Sequence, residues 1–162
     1  MSDSIQSAVA KIPTLLDASE AQAAFGVGER EGAAWLQGAN ALADQADDTV
    51  AEIQASFEVP LTENEADFAL FDQLAEGWNQ EPPSEEEMAS IAVGWGAYLG
   101  ELIRNVLGGS WVLRPDAEHV SLNFERVGVE FFPVHAVIRR FMLGEEASLE
   151  AEYERLVESL TR

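Results

Sequence analysis

His119 and His135 are the two histidines of this 162-residue chain, and imidazole is the side chain whose ordinary pKa lets it exchange a proton near neutral pH. Glu118-His119 precedes one alternating apolar stretch, and Glu130 and His135 flank the end of another, so strand ends can bring a His/Glu set together. A metal site asks for three or four converging ligands. Two histidines sixteen residues apart, without HxxxH or HExxH spacing, favour ordinary turn or surface positions. With no cysteine, thiol nucleophiles, zinc–thiolate sites and disulfides are excluded. No G-x-S-x-G elbow is present to activate a serine. Thirty acidic residues hide any general-acid pair by abundance, but Glu101, beside Gly100, can pair with Arg104 three residues on.

Arg139-Arg140, with Arg114 and Arg126, is the basic cluster of the chain. Its guanidinium forks can bind an anion or carboxylate bidentately at the end of a sheet, or can be consumed by the chain's own acids. Trp111 opens a strand, as core or as a ligand platform. Trp111, His135, Arg139 and Arg140 are therefore the candidate lining of a pocket or anion site; no catalytic, cofactor-binding or metal residue is assigned.

The element that must position these residues runs from Ser84 to Leu113. Met88, Ile91, Ala92, Trp95, Leu99, Leu102, Ile103 and Val106 recur at helical spacing. Ser84 with Glu87 predicts a capping box, and Gly108-Gly109 a stop before the strand that begins at Trp111. Gly94, Gly96 and Gly100 lie inside this helix, each at a cost of about 0.5–1 kcal/mol relative to alanine. With Ala92, the last two form a small-residue strip that predicts close approach of another element, or less simply a ligand wall.

Upstream, residues 2–18 predict a short helix broken near Pro13, and Gly26, Gly28 and Gly32 a turn rather than a phosphate loop. Residues 32–57 predict an amphipathic helix with Asp44, Asp47, Asp48 and Glu52 on its solvated side. Val59-Pro60-Leu61 breaks it. Thr62 with Glu65 predicts a second capping box, leading a helix that carries Phe68, Phe71, Leu74 and Trp78, and residues 79–83 form a polar connector. Downstream the period becomes two. Strands are expected at 111–114, 120–124 and 127–132, joined as an antiparallel meander, followed by a helix opened by Pro133 and closed by Gly144 and a last helix over 148–160. The expected fold is α+β: one domain over 1–162, with a helix-rich acidic N-terminal half (1–83) and a helix–meander–helix half (84–162). Several helices should pack on one face of a small three-stranded antiparallel sheet.

The order GWGAYLGELIRNVLGGSWVL, an alternating strand pair, and VEFFPVHAVIRRFMLGEEASLEAEYERL resembles the bacterial family called domain of unknown function 3806. The positions that carry the likeness are Gly96, Gly100, Trp111, Pro133, Arg140, Gly144 and Glu145, within roughly residues 85–160. The resemblance implies a bacterial origin and this order of elements. It implies no activity and no catalytic residues.

The net charge is −21, and it is uneven: residues 1–90 hold 19 acidic side chains against Lys11 and Arg30, residues 91–162 hold 11 against seven arginines. Such a field repels nucleic-acid phosphates and anionic lipid and favours a basic protein partner, or simply solubility. Without a basic leader or a long apolar run, a soluble cytoplasmic protein is expected. The leading functional expectation is a non-enzymatic interaction module, an immunity-type inhibitor or adaptor that binds a basic partner through its acidic helical face. The first alternative is a small-molecule- or anion-binding protein or enzyme with a pocket between the central helix and the sheet. The second is a housekeeping fold with a salt-adapted acidic surface. Oligomeric state is not legible.

Overall fold

The computed structural model describes residues 12–57, 61, 62, 64–78 and 84–161. In chain order these form β1 (Leu15–Asp17), α1 (Ala18–Phe25), α2 (Ala33–Phe57), α3 (Ala66–Trp78), α4 (Glu85–Leu107), β2 (Ser110–Val112), β3 (Ser121–Phe124), β4 (Val129–Phe131), α5 (Pro133–Leu143) and α6 (Leu149–Thr161). Short 3-10 turns at Ala117–His119 and Gly144–Ala147 complete them. The helices and the antiparallel sheet make an α+β fold rich in helix. The connectors at 58–60 and 79–83, and Ile5 and Val9 of the expected first helix, lie outside the described residues.

α4 is the axis. The Ser84 hydroxyl accepts the Glu87 N–H at 3.2 Å, three glutamates sit in the first turn at the positive end of the helix dipole, and Gly108 closes the helix at a positive φ, its N–H reaching the Arg104 carbonyl. Its middle is buried nearly all round, because α2 and α5 lie along it and the sheet packs against it. This accounts for the interior glycines. A Cβ on Gly96 would stand 2.6 Å from the Val134 Cα and 2.8 Å from its N, at the first turn of α5. One on Gly94 would meet the Thr49 hydroxyl on α2, and one on Gly100 the Trp111 ring. The propensity cost of three glycines is offset by close packing against three different neighbours. Trp95 fills the centre, tilted against Phe71 of α3 and Phe141 of α5.

The sheet has four strands, not three, in the order β1-β4-β3-β2, all antiparallel. The expected helix before residue 18 gives way, from Leu15 on, to the added strand: Leu15 pairs with Phe131 and Asp17 with Val129. Pro13 precedes a strand whose partner lies far along the chain. The sheet is also covered on both faces. Trp111, Leu122 and Phe131 face α4 and α5 in the main core. Leu16 and Phe132, which belong to the opposite face, pack with Ala21 and Phe25 of α1. There Gly28 passes so close to Val112 and the Leu113 carbonyl that no side chain fits, and Glu29 bridges to Leu113. All four residues of β3 are consequently buried.

The Thr62–Glu65 box does not form. The Asn64 side chain takes the Ala66 N–H, Thr62 bonds through both its N–H and hydroxyl to Asp67, and Glu65 accepts from the Tyr153 hydroxyl instead. Asp67 is buried and also accepts from Tyr98 of α4 at 2.5 Å, so one carboxylate ties the start of α3 to the central helix. Pro133 stands at the start of α5 as expected, where its missing N–H costs nothing.

Candidate functional site

The four candidate residues occupy three separate environments. Trp111 lays its ring on Gly100 and donates from Nε1 to Glu101 Oε2 at 3.2 Å, while its carbonyl accepts from the Trp35 indole at 2.8 Å. Arg140 turns the other way, toward α3: Nε meets Asp72 Oδ1 at 2.9 Å, and Nη2 reaches the Asp72 carbonyl and Glu76. His135 and Arg139, one helical turn apart, do come together, because both donate to the Ile12 carbonyl, at 3.1 and 2.9 Å. They fasten the chain just before β1 to the start of α5, where Phe132 N–H also bonds to the Thr14 carbonyl. Adjacent arginines on a helix diverge by about 100°, so Arg139 and Arg140 serve different elements. Arg126 reaches the Leu160 carbonyl, and the expected basic cluster is distributed over the fold.

The two histidines meet across Phe25. The His119 ring stacks on it at 4.4 Å and His135 approaches it edge-on at 5.6 Å. Glu130, the expected acidic companion, is instead paired with Arg114 at 3.1 Å, and the two side chains are only 9% and 2% exposed. Arg114 also donates to the Gly26 and His119 carbonyls and to Ser121 Oγ, and lies over the Phe132 ring. This arrangement satisfies a buried charge pair on both sides. Among the described residues no three His, Asp or Glu side chains converge as metal ligands would.

Burial holds the His135 imidazole down at about 4 against an ordinary 6.5; the Ile12 carbonyl opposes this, and Arg139 and His119 add to it. The unfolded chain therefore takes up a proton near pH 6.5 that the folded chain refuses until about pH 4. Stability is unaffected by this group above pH 6.5 and falls as the pH drops through the window below it. Between pH 6.5 and 5 the loss should be about 1.5 kcal/mol. Urea unfolding at the two pH values should show that increment in the wild type and lack it in His135→Gln; equal pH dependence in both proteins would refute the assignment.

Glu101 is the residue at which sequence and structure converge. Its carboxylate takes Arg104 Nε at 2.6 Å and Nη2 at 3.3 Å in addition to the Trp111 indole. That bond holds the Arg104 guanidinium still more firmly protonated. Two hollows open beside it along the α2–α4 seam, of about 280 and 240 Å³, and Ala43 and Glu101 line both. Neither is lined by His135, Arg139 or Arg140. Compared with family models, curated proteins and solved structures, the chain finds no match.

Asp72 was absent from the sequence-based candidates, and Arg114 and Glu130, each named there in a separate set, are instead joined to one another. Asp72 had a signal: it lies four residues after Phe68, with Glu76 four further on, so two acids border an otherwise apolar helical stripe. The pairing of Arg114 with Glu130 had none, because it depends on the register of β2 against β3 and of β3 against β4.

Proposed function

We propose that this protein is a non-enzymatic interaction module, an immunity-type inhibitor or adaptor of the bacterial cytoplasm, that binds a basic protein partner through the acidic face of α2. One observation carries the reading. Each described arginine donates to an oxygen of this chain: Arg30 to Glu125, Arg104 to Glu101, Arg114 to Glu130, Arg126 and Arg139 to carbonyls, Arg140 to Asp72 and Arg155 to Glu152. Asp44, Asp47, Asp48 and Glu52 stand exposed along α2 with no described arginine in ion-pair range. The described arginines are engaged by the chain's own oxygens, and the acidic face of α2 is left to attract a basic partner. Kinship with the family called domain of unknown function 3806, suggested by Gly96, Gly100, Trp111 and Pro133, is part of the proposal and brings no activity with it.

The test is co-purification from bacterial cytoplasm at low ionic strength, beside a variant with Asp44, Asp47 and Asp48 changed to Asn and Glu52 to Gln. The wild type should retain a basic protein that elutes in about 1 M salt, where charges are screened within about 3 Å. The neutralised variant should lose it. Equal retention by both proteins, or none by either, would remove the support.

A further inference from the structure

We propose that the seam between α2 and α4 receives an arginine side chain of the partner, which binds Glu101 in exchange for Arg104. This rests on the reading of the acidic α2 face and places its anchor. The two hollows share Ala43 and Glu101 in their linings, so both lie along the α2–α4 seam with the Glu101 carboxylate bordering each. Alanines at 39, 43 and 46, all on the α4-facing side of α2, keep the groove open. Asp47 lies on one wall and Trp35 and Trp111 line the far end.

Glu101 is built to hold a guanidinium. Both of its oxygens contact the Arg104 fork, and the Trp111 indole N–H fixes Oε2 from behind. The two members of this pair differ in access: the Glu101 side chain is 14% exposed, while that of Arg104 is 44% exposed at the mouth of the groove. The carboxylate is thus held in place and mostly buried, and the guanidinium covers it from the solvent side. An intrahelical pair at this spacing is weak, so an incoming arginine held by further contacts along α2 can displace it. Arg104 then swings into solvent.

The probe is a hexa-arginine peptide added to the ¹⁵N-labelled full chain at low ionic strength, with hexa-lysine as a control of equal charge. The Trp111 and Trp35 indole N–H signals report on the groove, and the amides of Asp44, Asp48 and Glu52 on the outer face. Hexa-arginine should shift both sets, and hexa-lysine, which lacks the planar fork, chiefly the second. Glu101→Gln should weaken hexa-arginine binding about fivefold or more. Arg104→Gln should tighten it about two- to threefold by removing the competitor, and it decides the matter if Glu101→Gln fails to fold. Binding that shifts the outer-face amides while the indoles stay still in both the wild type and Arg104→Gln overturns the groove and leaves the acidic face standing. No binding to either peptide at low ionic strength overturns both.

Discussion

Replacing Asp72 with alanine is expected to lower the unfolding free energy by about 3–5 kcal/mol, read as a fall in the urea midpoint at unchanged slope. The side chain accepts from Arg140 Nε, Ser148 Oγ and the backbone N–H groups of Leu149 and Glu150. It therefore caps α6 from a different helix, at the end where orphan donors and the positive dipole both favour a carboxylate. It also neutralises Arg140, which is 3% exposed and would be left with the neutral carbonyl of residue 72 and with Glu76, a residue open to solvent. The alanine variant strands a buried cation and uncaps a helix in one step. Asp72→Asn keeps an acceptor for the cap but loses the charge, so its loss should lie between wild type and alanine. A drop under about 1 kcal/mol for alanine, the scale of an ordinary helix cap, would show that Arg140 finds another partner and that the cap is dispensable.

Arg114→Met should cost a similar amount, about 3–5 kcal/mol, because it leaves the Glu130 carboxylate unpaired beneath α1. Methionine approximates the aliphatic stem, so the loss reports charge more than volume. Adding Glu130→Gln should return part of the stability, since a neutral amide costs less to bury than a lone carboxylate. Full recovery is not expected, because the Gly26 and His119 carbonyls and Ser121 also lose their donor. Additive single and double effects in that cycle would mean that the two side chains are not energetically coupled.

The parts of the fold legible in the sequence are those whose signals are local. Ser84, Gly108 and Pro133 stand at helix boundaries where their own chemistry puts them. The α2 stripe and the Glu101–Arg104 pair follow from helical spacing alone. What escaped depended on distant partners. Leu15-Leu16-Asp17 is too short to show a period, and it becomes a strand only because β4 offers an open edge. Ser121 and Glu130 are polar at alternate positions and read as solvent-facing, yet Arg114 and α1 cover them. The candidate residues were dispersed for the same reason: Trp111 lies on β2 and His135, Arg139 and Arg140 on α5, but the direction of each side chain is set by a neighbour that its own segment does not reveal. Glu101, passed over as a structural pair, lies where the groove opens.

The pairing of β1 with β4 also has a consequence in time. Leu15–Asp17 is synthesised before its partner Val129–Phe131, which follows only after more than a hundred further residues. At about 5–20 residues per second, the segment waits roughly 5–20 s with its backbone groups bonded to water rather than to a partner strand. The residues made during that wait include the more acidic part of the chain, a charge that favours solubility, and the bonds of His135 and Arg139 to the Ile12 carbonyl become possible only once α5 has been made.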